Sequence, residues 1–252
     1  MMISMQNKNI YITIISVAVL LAVWEAASLA AGSSQLLPDP FSTLKATVSL
    51  FCRKGFLSIV ATTILRGLAG FAIAAAAGIL LGIAGGMKKG LDTFFKPWVV
   101  VIRSTPVVAI VLLAIIWLDE NSVPVFIGIL TMFPIIYLNI VKGIRSVDLK
   151  TVEMARFYGI HGARLVREVH LPAIAPFVFS GVSTAVGIGW RAIIVGEVLS
   201  LPEYGIGTVM RSAQTFLQVD VLIAWTLVTI LAGAIFEWLV GFAEKKIVKW
   251  RG

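Results

Sequence analysis

The sequence predicts an all-helical integral membrane protein with six spans. Three observations carry this: 59% of the residues are hydrophobic, only 13% are charged, and mean hydropathy is +0.97. Soluble domains carry about a quarter charged residues, so this chain belongs in a bilayer. A helix needs about 20 mostly apolar residues to cross the hydrocarbon, because lipid offers backbone amides no water. Six stretches meet that need, near 10–31, 57–86, 97–118, 123–141, 174–200 and 221–242, and they are expected to form one transmembrane domain over residues 1–252.

The formal charge of +8 would suggest nucleic acid in a soluble protein. Here Lys and Arg cluster beside apolar spans, a pattern that records membrane orientation, so no nucleic-acid partner is expected. The single cysteine, Cys52, excludes an internal disulfide and a thiolate metal pair. His161 and His170 have no metal-ligand company and read as surface or interface residues, so neither metal nor cofactor is expected.

The first span follows Lys8 and ends in Ser28-Leu29-Ala30, which imitates a signal-peptide cleavage site. Its apolar run exceeds the usual signal core and carries Glu25, so a retained helix is expected. In the second span Gly78, Gly82 and Gly86 recur every four residues, leaving one helical stripe bare for a close neighbour. The third span begins at Pro97 and is expected to run unbroken to Leu118, where a tight hairpin with Asp119 and Glu120 leads into the fourth. The fifth repeats the glycine theme with Gly181, Gly187, Gly189 and Gly196. Trp24, Trp98, Trp117, Trp238 and Trp250 fall toward span ends, where an amphipathic indole is comfortable.

Between the fourth and fifth spans lie about thirty polar, basic residues, 142–173, too long for a connector and too patterned for disorder. Asp148 can cap a helix starting at Leu149, with Leu149, Val152 and Ala155 on one face, and Gly159 supplies its end. Ala163, Val166 and Val169 then recur at helical spacing, and Pro172 is expected to stop this second helix before the next span. With both termini inside, about fourteen Lys and Arg residues, this segment's included, fall on the cytoplasmic side. Lys45, Arg53, Lys54 and Arg211 remain outside.

At Glu153, Ala155, Gly159, Val169, Leu171 and Pro172 the segment resembles the EAA loop of binding-protein-dependent ABC importer permeases. Val169 stands for the family's Ile, and Met154 departs from its first Ala. Leu36-Leu37-Pro38-Asp39-Pro40, Arg103-Ser104-Thr105-Pro106 and Gly143-Ile144-Arg145-Ser146-Val147-Asp148 are similar to the nitrate, sulfonate and taurine branch. The resemblance implies a type I ABC importer permease fold whose cytoplasmic coupling helices dock on a separate ATPase. It also implies a bacterial inner-membrane assembly of two permeases as a homodimer, two ATPase subunits and an external solute-binding protein. That protein would face residues 32–56 and 201–220. The solute would be a sulfonate, taurine, nitrate or similar anion, or a vitamin precursor. The chain has no GxxxxGK[ST] phosphate loop, so the energy comes from a partner and no catalytic residue is expected.

Arg66, Arg191 and Glu197 fall inside predicted spans, where a central charge costs on the order of 2.5 to 3.5 kcal/mol and demands a partner or water. Arg191 and Glu197 are six apart, on different faces of one helix. Arg191 beside Trp190, with Glu197 and Arg66, could line or gate a path for a small anion. The alternative for these charges is structural: a pairing with a neighbouring helix, or a place at the outer interface. An ion-coupled secondary transporter is the rival reading. It would need buried cation sites and no docking loop, and the sequence shows no internal repeat of the kind such proteins carry.

Overall fold

A computed structural model describes the backbone of residues 2–247 and the side chains of residues 11–242. Lys249, Trp250 and Arg251 lie outside the described residues, as do the side chains of Lys8, Lys245 and Lys246. The described chain is almost entirely helical and has no strand. Five helices are long and apolar enough to cross a membrane, and a bent helix pair makes a sixth if counted as one span. The chain divides into two compact units, Met1–Leu57 with Val209–Ile230, and Ser58–Thr208 with Leu231–Gly252.

The first unit opens with α1 (Met2–Ala31), whose apolar side chains stand almost wholly exposed from Tyr11 onward. Its end is tied to the following turn: the Trp24 indole donates to the Pro38 carbonyl at 3.0 Å and the Ser28 hydroxyl to the Leu37 carbonyl at 2.8 Å. Helix α2 (Pro40–Phe51) starts where its sequence says it should. Asp39 Oδ1 accepts from the Ser42 N–H at 2.8 Å, and Pro40 occupies the first turn, where a missing N–H costs nothing. Thr43, Ala46, Thr47 and Leu50 form its buried face. Phe56 stacks on Trp225 with ring centroids 5.6 Å apart.

The second unit is built on α3 (Phe56–Met87), followed by α4 (Lys89–Ser104), α5 (Val107–Trp117), α6 (Ser122–Arg145), α7 (Leu149–Phe157), α8 (Gly162–Leu165) and α9 (Leu171–Ser200). Helices α10 (Ile206–Thr215) and α11 (Val219–Ile247) complete the chain. Between α3 and α6 the glycine stripe meets a ladder of isoleucines. A Cβ placed on Gly78, Gly82 or Gly86 would come within 2.8, 2.7 and 2.8 Å of Ile136, Ile140 and Ile144 respectively. No side chain fits there, so the two backbones approach to contact, which is how helices associate where lipid is as apolar as leucine. Glycines also seat α9 on α6: Gly181 against Asn139, Gly189 against Met132, and Gly196 against Pro124. Ala74, Met132, Ile136, Ile140, Ile174, Ala185 and Ile193 form the resulting core.

Two expectations are corrected here. The third span is not one helix: α4 and α5 are bent by 99° relative to each other. Thr105 is extended (ψ 128°) before Pro106, because the proline ring disfavours the helical region for the residue preceding it. Pro97, by contrast, is carried inside α4. Nor does Pro172 stop a helix: α8 passes through a π-helical stretch, Val166–His170, directly into α9. The wider π turn relieves the clash between the proline ring and the preceding turn, so the helical path continues through it.

Candidate functional site

The loop between α6 and α9 is an ordered helix–turn–helix. Asp148 caps α7 by accepting from the Lys150 N–H at 3.0 Å. Gly159 ends it at φ +78°, with the Gly159 N–H bonded to the Arg156 carbonyl and the Ile160 N–H to the Ala155 carbonyl, each at 3.0 Å. That pair of bonds is a Schellman cap, and its left-handed residue is glycine for the usual steric reason. Ala155 is buried at the base, with Leu165. Outward stand Leu149, Met154, Phe157 and Tyr158, with Phe157 89% exposed and Tyr158 75%. Their rings lie edge to face at 6.0 Å. Glu153 is exposed on the same helix, while Val169 and Pro172 are half-buried and Leu171 is exposed. His161 is exposed, but His170 is buried, which corrects its expected surface position: it sits on the inner side of the π stretch.

At the other end of α9, Glu197 is wholly buried and Arg66 is 7% exposed. The two meet at 2.7 Å. The Glu197 carboxylate also accepts from the Thr63 hydroxyl at 3.0 Å and from the Gly207 N–H at 2.9 Å. The Arg66 guanidinium donates further to the Tyr204 carbonyl and to Asn121 Oδ1, each at 2.6 Å. Thr63 in turn accepts from the Ile206 N–H at 2.9 Å. This knot fastens residues 204–207 to α3, α9 and the start of α6, with each charge both paired and hydrogen-bonded, as burial requires. Glycine is needed at 205 and 207, since a Cβ at either would come within 2.8 Å of the Glu197 side chain.

Arg191 is placed quite differently. It is exposed on α9, with no hydrogen bond or ion pair to any described residue. Ser180, Thr184 and Arg191 are all exposed and, at intervals of four and seven residues, share one helix face. On the same face Gly187 leaves room for Glu237 of α11, whose Oε1 would lie 2.8 Å from a Cβ there. Trp190 is buried, stacked on Phe236 at 5.6 Å and covered by Gly233, so it packs inside the unit and not along the exposed stripe.

A second charged cluster joins α4 to α6. Asp92 Oδ2 lies 2.8 Å from Arg145 Nη2, and Asp92 Oδ1 accepts from the Tyr137 hydroxyl at 3.0 Å.

Residues 74–249 match the family described as binding-protein-dependent transport system inner membrane component. This chain belongs to that family. Its relatives agree over nearly full length. A protein of Escherichia coli strain K12 named as an aliphatic sulfonates transport permease, SsuC, is 33% identical across 92% of this chain and 88% of its own. The taurine transport system permease TauC of the same organism is 26% identical across 98% of this chain and 92% of its own. The nitrate import permease NrtB of Synechocystis is 26% identical across 93% and 88%. The chain is therefore a multi-pass inner-membrane permease, the transport subunit of an ABC transporter.

Sequence reasoning singled out Arg66 and Glu197 but not their pairing, and it missed Thr63, Asn121 and Gly207 altogether. Two opposite charges in two spans were the available signal. The comparison made along the sequence was Glu197 with Arg191, six residues away, and a partner 131 positions distant is invisible to such spacing.

Proposed function

We propose that this permease moves a small anion across the inner membrane, driven by ATP hydrolysis in a separate subunit that grips the α7–α8 protrusion. The observation that carries this is the exposed crest of Met154, Phe157 and Tyr158 beside the carboxylate of Glu153. It stands on a helix whose end is locked by a glycine cap and whose base is buried. Exposed aromatics next to a charge make a docking surface, and a locked turn transmits a push without folding under it. Glu153 offers its carboxylate to a basic group of the ATPase, with Val169, Leu171 and Pro172 joining the protrusion to α9.

The excess of Lys and Arg on the protrusion and the adjoining helix ends supports a cytoplasmic location for it, and for both termini. Two copies of the chain would enclose one path, loaded by the external binding protein. The names of the relatives, sulfonate, taurine and nitrate permeases, support an anionic cargo, and the exposed Arg191 stripe supports a polar path along α9. Arg66 and Glu197 then serve that path from behind, by holding the 204–207 turn in place.

The test is Glu153→Arg in the reconstituted permease–ATPase–binding-protein assembly. Uptake should fall at least 10-fold while the protein remains in the membrane at its normal level, and ATP turnover should no longer respond to the loaded binding protein. Unchanged uptake would remove the protrusion from the mechanism. Uptake by the chain alone under an ion gradient would establish the ion-coupled alternative.

A further inference from the structure

We propose that the groove between α4 and α6 binds the phosphodiester headgroup of an anionic phospholipid. The groove encloses about 630 Å³ and is lined by Asp92 and Lys96 of α4, by Tyr137, Leu138, Val141, Lys142 and Arg145 of α6, and by Ser146. Three of these side chains are cationic and one is acidic. The single acid is already committed, to Arg145 at 2.8 Å and to the Tyr137 hydroxyl at 3.0 Å. Lys96 and Lys142 are exposed and make no hydrogen bond or ion pair with any described residue. Two free ammonium groups therefore face one concavity with a guanidinium behind them, and like charges held together call for an anion between them.

The rest of the groove identifies the source of that anion. Its apolar lining is Tyr137, Leu138 and Val141, with Val99 packed against them in the core behind. Helix α4 has a basic side with Lys89, Lys96 and Arg103, and it also exposes Phe94, Trp98 and Val101, Trp98 by 64%. Lys142 and Arg145 stand in the last turn of α6, where its apolar stretch ends. A basic pocket between helices at the end of a span, on a helix whose far face exposes an indole and a phenyl ring as a membrane-interface helix does, suits a molecule with a charged head and a hydrocarbon tail. A free oxyanion would use the head of this groove and leave the rest empty.

The experiment is native mass spectrometry of the full chain in mild detergent, titrated separately with phosphatidylglycerol, phosphatidylethanolamine and inorganic phosphate. Phosphatidylglycerol should be retained in preference to phosphatidylethanolamine by 10-fold or more, and millimolar phosphate should not displace it. The double variant Lys96→Gln/Lys142→Gln should lose that preference. Neither lysine holds anything in the fold, so its melting temperature should stay as it was. Asp92→Asn, which frees Arg145 into the groove, should raise retention, an effect a purely structural salt bridge would not produce. Equal retention of the two lipids, an unchanged double variant, or displacement by phosphate or a small sulfonate at millimolar concentration would each overturn the proposal. The last outcome would make the groove a solute site.

Discussion

At the residue scale, the Arg66–Glu197 knot shows how a charge survives inside a span: both carboxylate oxygens of Glu197 accept hydrogen bonds, and the Arg66 guanidinium donates three. Removing one partner strands the other. Arg66→Met alone, or Glu197→Leu alone, should cost about 3 to 5 kcal/mol, whereas the double variant should recover much of the loss. Thermal unfolding of the four proteins in detergent measures this as a double-mutant cycle. Asp39 acts at the surface instead. Its bonds to the Ser42 hydroxyl, at 2.6 Å, and to the Ser42 N–H hold its carboxyl below the ordinary carboxylate value. A lowered value in the folded state means its capping contribution is complete above the ordinary pKa and is lost as pH falls through the lowered one. Protection of the first-turn amides of α2, measured against their intrinsic exchange rates, should therefore fall below about pH 4, and Asp39→Asn should remove most of that pH dependence.

At the scale of the element, the glycine stripe of α3 was legible because its meaning depends only on spacing: residues four apart share a face, and three bare positions require a close neighbour. Which neighbour was not legible, since nothing local distinguishes Ile136, Ile140 and Ile144 from other apolar residues. Gly82→Leu should drive a side chain into Ile140 and lower stability by about 1 to 3 kcal/mol, checked by the melting temperature. Asp148 and Gly159 were readable for the same local reason, as a cap and a left-handed turn. The break at Thr105–Pro106 and the passage through Pro172 went the other way. Proline restricts its neighbours without deciding between a kink, a break and a continued helix, and in these two places surrounding packing and a π turn made the choice.

On the scale of the whole molecule, composition alone settled the environment, and the pattern from Glu153 to Pro172 carried the family resemblance that the relatives bear out. The division into two compact units could not be read from the sequence, because each unit combines segments far apart along the chain. The exposed face of Ser180, Thr184 and Arg191 gains its meaning only in the assembly, where an unpaired guanidinium at mid-helix cannot rest against hydrocarbon. In a Cys52→Ser background, Arg191→Cys should react with a charged, water-borne thiol reagent in the reconstituted transporter. Ile230→Cys, on an exposed apolar position of α11, should stay unlabelled. Lack of reaction at 191 would place that face against protein or lipid.

Helices α8 and α9 with the π stretch between them form one uninterrupted rod from Gly162 to Ser200, 39 residues long. At about 1.5 Å per residue it measures nearly 60 Å, with the protrusion at one end and the Glu197 knot near the other. Glycine seats clamp it to α6 from Gly181 to Gly196, so that stretch has few places to flex. A tug on one tip should thus reappear at the opposite tip as a tilt, in the manner of a tiller, and the Tyr204–Gly207 turn is the rudder it swings.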